Sequence, residues 1–374
     1  MDLGLNEFQQ MLRNSAREFL EAECPISYVR DMEADERGYS PEIWSAMAEL
    51  GWLGLVIPEE YGGEGLGFVE LAILLEEMGS ALLPGPYFST VVMAGVALAE
   101  TGSDVQKNEY LARIARGQLI ATMAIIEPSG LWEPRGIEAV ARRSDDGYVI
   151  SGVKLYVPNA HVSDYVIVAA RTGECETDVS LFIVPSNADG LSQTLLQTIA
   201  ADRQSELVLD DVSVSESALL GDFNGGWDTV ATVLRWGAVG KCAEMLGGAQ
   251  RVLDMTVQYA KERIQFGRAI GSFQAVQHHA ADMAADVDGC RYITYQAAWT
   301  LAQGLPADRE VAMAKAWVSD AYQRVCALSH QSHGAVGFTR EYDLQLYSRR
   351  AKAAELMFGD ADVHLEAVAS AIGL

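Results

Sequence analysis

"KERIQFGRAIGSFQAVQHHAADM" (residues 261–283) sets three cations, Lys261, Arg263 and Arg268, around a Phe-Gly pair, Phe266-Gly267. Glycine breaks the stretch at Gly267 and Gly271, in the middle of what otherwise reads as helix. The chain around it is acidic, 374 residues with a formal net charge of −25. Such a chain repels phosphate backbones, which argues against nucleic acid as a partner. An anionic ligand would need a local basic site set against the overall field; Arg263 and Arg268 read either as such a site or as two solvated charges on a helix.

Downstream, "VAMAKAWVSDAYQRVCALSHQ" (311–331) covers roughly five helical turns. Upstream, "GGWDTVATVLRWG" (225–237) opens another helical pattern. Between about 120 and 221 the texture is different. "ATMAII", "GYVISGVKLYVP", "DYVIVAAR", "VSLFIVPS" and "SELVLDDVSV" are short runs rich in Val, Ile and Tyr, parted by turns such as Asp145-Asp146-Gly147. They read as strands, antiparallel in a compact barrel or sandwich.

Residues 1–120 read as helical. Phe8, Met11, Leu12, Phe19 and Leu20 fall mainly at three- and four-residue spacings, one face of an amphipathic helix. In "SPEIWSAMAEL", Ser40 is placed to cap a helix that starts at Pro41. "GLVIPEEYGGEGLG" (54–67) is a loop, and the helix "FVELAILLEEMGS" is expected to end near Gly79. The uncharged run from Gly79 approaches the length of a membrane span. Pro84-Gly85-Pro86 interrupts it, however, so it reads as a loop and a buried helix, with no membrane insertion. Five widely spaced cysteines without a C-x-x-C argue against a disulfide framework or a zinc site and suit a cytoplasmic location. His330 and His333 stand at i, i+3 without the further ligands a metal needs, so no metal site is expected.

The α, β, α order, with these motifs, resembles the acyl-CoA dehydrogenase family of flavoproteins. The segments that carry the resemblance are "LGLVIPEEYGGEGLG" (53–67), Glu127-Pro128, Gly152-x-Lys154 through Asn159, "YAKERIQFGRAIGSFQ" (259–274) and "HQSHGAVGFTREYDL" (330–344). It implies an α+β chain with an N-terminal helical domain (1–120), a middle antiparallel β-barrel domain (121–221) and a C-terminal four-helix bundle (222–374). It implies FAD, with Arg263 facing the pyrophosphate and Phe266 and Gln274 flanking the adenosine side. In this resemblance Gln331, Gly334, Ala335 and Gly337 bring backbone amides toward the phosphates, and the family's cofactor straddles subunits. Taken alone, Gly334 and Gly337 also read as a helix C-cap and turn.

The family's reaction is α,β-dehydrogenation of an acyl-CoA thioester, with a carboxylate as base and electron-transfer flavoprotein as acceptor. Counting from Ala351-Lys352, the usual base position holds Phe358; the alternative position holds Gly237. The nearest carboxylates are Asp360 and Glu244, both offered as displaced bases. The flavin-side motifs have drifted as well. Ile126 stands where the family has threonine, and Tyr156-Val157-Pro158 where it has a tryptophan and a hydroxyl residue. Tyr156 can still stack; Pro158 offers no N–H.

An intact ADP-side half beside a weakened flavin-side half suggests a subunit of an α2β2 heteromer whose unlike partner supplies the base. Two other readings remain open: a self-sufficient homo-oligomer using Asp360 or Glu244, and a non-catalytic structural subunit.

Overall fold

The computed structural model describes residues 4–374. The chain forms two compact units, each assembled from separate stretches. One gathers the residues up to Arg30, Phe68–Leu83 and Ala238–Leu374; the other gathers Asp31–Gly67 and Pro84–Gly237. The N-terminal helical stretch is therefore divided between them.

The first unit is helical. It holds Glu7–Glu23, Phe68–Ala81, the helix Gly226–Glu262 from Ala238 onward, Gln274–Ala302, Asp308–His333, Leu344–Leu356 and Ala361–Ala371. The expected four-helix bundle is thus extended by a fifth C-terminal helix and joined by two helices from early in the chain. Phe68–Ala81 ends two residues past Gly79, near where the sequence places its end. Packing explains that glycine. A side-chain carbon on Gly79 would lie 2.0 Å from the Glu244 carbonyl oxygen, and one on Gly247 would lie 1.8 Å from that of Glu76. Glycine on both helices lets the two backbones touch. Glu76 and Glu77 are buried in the same helix. Arg13 (2.9 Å), Arg291 (2.5 Å) and the Tyr295 hydroxyl (2.6 Å) hold Glu76, and Arg17 (2.9 Å) holds Glu77, so neither charge is stranded.

The second unit is built on one sheet. Its strands are β1 (Ala121–Ala124), β2 (Val140–Ser144), β3 (Gly147–Pro158), β4 (Tyr165–Arg171), β5 (Val179–Pro185), β6 (Leu191–Leu196), β7 (Gln204–Ser215) and β8 (Leu219–Leu220). The order is β6-β7-β3-β2-β4-β5-β8, with β1 paired to β4. Most neighbours are antiparallel, but β1 lies parallel to β4, Ala121 opposite Tyr165. The sheet is therefore mixed. Among the described residues no pairing of β6 with β8 closes it into a barrel. A parallel partner must be buried on both faces, and all four residues of β1 are. Tyr148, Ile150, Val157, Val166, Phe182, Leu207 and Leu209 form the core beneath the sheet.

Elsewhere in this unit, Ser40 Oγ accepts the Ile43 N–H at 3.2 Å and starts Pro41–Glu49 as expected. The uncharged run becomes a loop and then a buried helix, wound as π from Phe88 to Gly95 and as α from Val96 to Thr101. Thr90 Oγ1 fastens that helix to β1 by donating to the Ala121 carbonyl (2.9 Å). Among the described residues no helix is long and apolar enough to cross a membrane.

Candidate functional site

The opening stretch folds as a hairpin between two long helices. Arg263 follows Gly226–Glu262 directly, and its N–H still bonds the Tyr259 carbonyl (2.8 Å). Ile264–Gln265 then pairs antiparallel with Arg268–Ala269. Phe266 and Gly267 make the two-residue connection, with φ of +52° and +79°. Positive φ at both central residues is the twist such a hairpin wants. Glycine adopts it freely, whereas for Phe266 it costs roughly 1–2 kcal/mol. The Phe266 ring is also 94% exposed. Neither the strain nor the exposure of this large apolar ring adds to stability.

Around this ring the chemistry suits an anion. Arg263 is exposed, and no described side chain pairs with it. Arg268 lies over the Phe273 ring, 4.1 Å from its centroid, and Phe266 meets Phe273 edge-on. Phe273 is the N-cap of Gln274–Ala302 and provides no side-chain acceptor, so first-turn N–H groups beside the exposed Gln274 stay uncapped.

The second expected segment ends Asp308–His333. Gly334 has φ +66° and ψ −144°, and a side-chain carbon there would meet nothing within 4 Å. It is glycine for its conformation, with open space in front. Gly337 is glycine for room, because a side-chain carbon would lie 3.1 Å from His330 Nδ1. Gln331, Gly334 and Ala335 line an open groove of about 620 Å³, together with Gln323, Cys326 and His330. His333 ties this loop to the hairpin. Its ring stacks on Tyr259 at 4.3 Å, one turn before Arg263, and the Tyr342 hydroxyl bonds its Nε2 (2.9 Å). His330 bonds Ser348 Oγ (2.7 Å) and stacks on Phe338 (4.2 Å). Burial lowers the pKa of both histidines. They are neutral struts, and no metal-binding cluster occurs among the described residues.

Tyr156 belongs to the other unit. It sits in β3 with φ +55° and is 58% exposed. Ile126 is buried, and its carbonyl accepts the Leu155 N–H at 2.8 Å. Pro158 has no N–H to donate, and its carbonyl accepts from the Thr122 hydroxyl (2.6 Å). What sequence reasoning missed here is the link between two of its own motifs. Glu127 and Lys154 form a buried ion pair of 2.6 Å, with side chains 2% and 0% exposed. Burial brings Lys154 down to about 8 against the raising effect of Glu127.

Both carboxylates offered as bases are engaged in structure. Asp360 caps Ala361–Ala371 through the Val363 N–H (3.0 Å), and Glu244 pairs with Lys241. Gly237 is buried on its helix. Phe358 is 5% exposed, at φ +60°. Its turn is pinned. His364 Nε2 donates to the Phe358 carbonyl (2.8 Å), while Lys315 Nζ donates to the carbonyls of Glu355 (2.7 Å) and Gly359 (2.8 Å).

Family models match along the chain in order: the acyl-CoA dehydrogenase N-terminal domain over 6–118, the middle domain over 122–212 and the C-terminal domain over 224–373. The chain belongs to the acyl-CoA dehydrogenase family. It is 33% identical over 372 residues to a probable acyl-CoA dehydrogenase, YngJ, of Bacillus subtilis (strain 168), covering 97% of each chain. Butyryl-CoA dehydrogenase from Megasphaera elsdenii superposes at a TM-score of 0.92 with 27% identity, covering 100% of both chains. The ChsE4-ChsE5 complex from Mycobacterium tuberculosis matches at 0.91 with 30% identity, covering 100% of this chain and 99% of the other. Family membership makes the chain an FAD-dependent oxidoreductase of the acyl-CoA class. The residues expected on the ADP side have a chemistry that fits that cofactor: Arg263 with no described side-chain partner, an exposed Phe266 ring and a turn at Gly334 with open space before it.

Proposed function

We propose that this chain is one of two unlike subunits of a cytoplasmic α2β2 acyl-CoA dehydrogenase. In this reading it lends the ADP-side contacts for FAD while its partner supplies the base. The observation that carries the reading is Phe358, an apolar ring at the family's base position, with Asp360 and Glu244 both committed elsewhere.

Bound FAD would supply the acceptor for the hydride that leaves the β-carbon of the acyl thioester. Arg263 presents paired donors to its diphosphate. Gln331, Gly334, Ala335 and Gly337 bring polar groups and backbone to the same end, and Phe266 and Gln274 cover the adenosine side. Tyr156 stacks near the flavin ring, and Pro158 contributes no hydrogen bond there. None of these groups removes the α-proton; that step needs a carboxylate in a dry pocket, and it falls to the partner. A bulky, ring-bearing acyl group suits a pocket left open in this way, and electron-transfer flavoprotein is the acceptor. The structural similarity to a complex of two named chains, ChsE4-ChsE5, supports the heteromeric reading.

The test is to purify the chain alone, then with its neighbouring gene, and to measure flavin content and mass. A colourless product alone, and one flavin per pair of unlike chains together, is expected. A yellow homotetramer with one flavin per chain, turning over acyl-CoA, would overturn the proposal in favour of a self-sufficient enzyme.

A further inference from the structure

Strand β3 changes face at an unexpected place. Lys154 and Val157 both point inward, 0% and 1% exposed. In a regular strand residues two apart share a face, so a buried Lys154 would carry Tyr156 inward with it. Instead the pairing with β7 slips between Lys154↔Leu207 and Val157↔Ser205, three steps on β3 against two on β7. This is a bulge. Its extra residue is absorbed at Tyr156, whose left-handed backbone throws the ring out toward solvent.

The bulge is clamped from one side. Lys154 Nζ reaches Glu127 Oε1 (2.6 Å) and the Ile125 carbonyl (3.3 Å). The Glu127 carboxylate also accepts the N–H groups of Glu138 (2.8 Å) and Ala139 (3.0 Å). Leu155 N–H closes the frame on the Ile126 carbonyl (2.8 Å). Three segments thus meet at one buried charge pair. Such a pair gives little net stability over an apolar pair of the same shape, although removing one partner is costly. Position, rather than strength, is what it supplies here.

We propose that Glu127 and Lys154 are positioning residues: their pair fixes the β3 bulge and so holds the Tyr156 ring outward on the flavin-side surface. That Tyr156 meets the flavin rests on the reading above; that the pair sets its orientation does not.

The two are separable by experiment. Tyr156→Trp adds an indole to the seven native tryptophans, and the emission and acrylamide quenching it adds over the matching Tyr156 chain report its exposure without any cofactor. It is compared in the otherwise native chain and in the apolar swap Lys154→Met/Glu127→Leu, which strands no charge. The swap is expected to fold, to shift the indole emission to the blue and to lower its quenching. In the assembled enzyme with Tyr156 restored, the same swap is expected to weaken flavin retention roughly two- to tenfold, the worth of one aromatic stack. A folded swap with native emission and quenching overturns the proposal, leaving the pair as packing alone. If the swap fails to fold, Lys154→Arg and Glu127→Gln are read with the same indole, and native emission in both overturns it. A shifted indole with unchanged flavin retention supports the positioning role and removes Tyr156 from the flavin contact.

Discussion

Arg263→Ala isolates the ADP-side half of the site. The Arg263 guanidinium is exposed and no described side chain pairs with it, so the folded chain loses no internal contact when it goes. A surface change of that kind moves stability by no more than about 0.5 kcal/mol. Hydrogen bonds from a charged donor are worth about 1.5–3 kcal/mol. Losing them should therefore weaken FAD retention roughly 10- to 150-fold. Arg263→Lys keeps the charge but not the planar fork and should fall between the two. The assay is flavin absorbance per chain after gel filtration of the assembled enzyme, beside the melting temperature of the cofactor-free chain. The expected pattern is an unchanged melt with lost flavin. Unchanged flavin content in the Arg263→Ala assembly would refute the assignment and favour a structural subunit with no redox role. A lowered melt of the cofactor-free chain would refute the claim that Arg263 has no structural task.

Three further outcomes are expected. Asp360→Ala should destabilise the protein by about 0.5–2 kcal/mol, the value of an N-cap, with kcat unchanged; a loss of roughly 100-fold or more would make Asp360 the base after all. Gly247→Ala gains helix propensity, yet its new carbon would sit 1.8 Å from the Glu76 carbonyl oxygen. Backbone cannot move aside as a side-chain tip can, so a loss of about 3 kcal/mol or more is expected in denaturant titration, and a neutral or raised midpoint would refute the helix contact. The pH profile of stability should turn over in alkali. Burial holds Lys154 and Lys315 at about 8, below their usual 10.5, so their contribution is absent below 8 and grows up to 10.5. Burial raises Cys24, Cys242 and Cys326 to about 12 and raises Cys290 too, so theirs is complete below 9 and lost above it. Between pH 9 and 10.5 the four thiols outnumber the two lysines, so stability should fall as pH rises; stability rising steadily through that window would refute the assignment.

The features legible in the sequence share a physical origin in short-range rules. The break at Phe266-Gly267 shows itself because glycine marks a local turn, although not that the turn closes a hairpin, and Ser40 and Pro41 show themselves because capping acts over one helical turn. The features that stayed hidden are long-range. Nothing near Ala121 says that it will lie parallel to Tyr165, since that register is set when the two strands are buried together. Gly79 does stand near a helix end, but its other use, backbone contact with Glu244, depends on a helix more than 160 residues away. Glu127 and Lys154 were each read as part of a motif, but their pairing appears only once β3 lies against the loop after β1. The bulge at Tyr156 has the same character. Its left-handed backbone follows from Lys154 and Val157 both being drawn inward, not from any preference of tyrosine. The groups proposed for the ADP side sit on a local turn, so their role could be proposed from the sequence itself. The role proposed for the flavin side depends on a tertiary pairing, Glu127 with Lys154, which residue identities alone do not reveal.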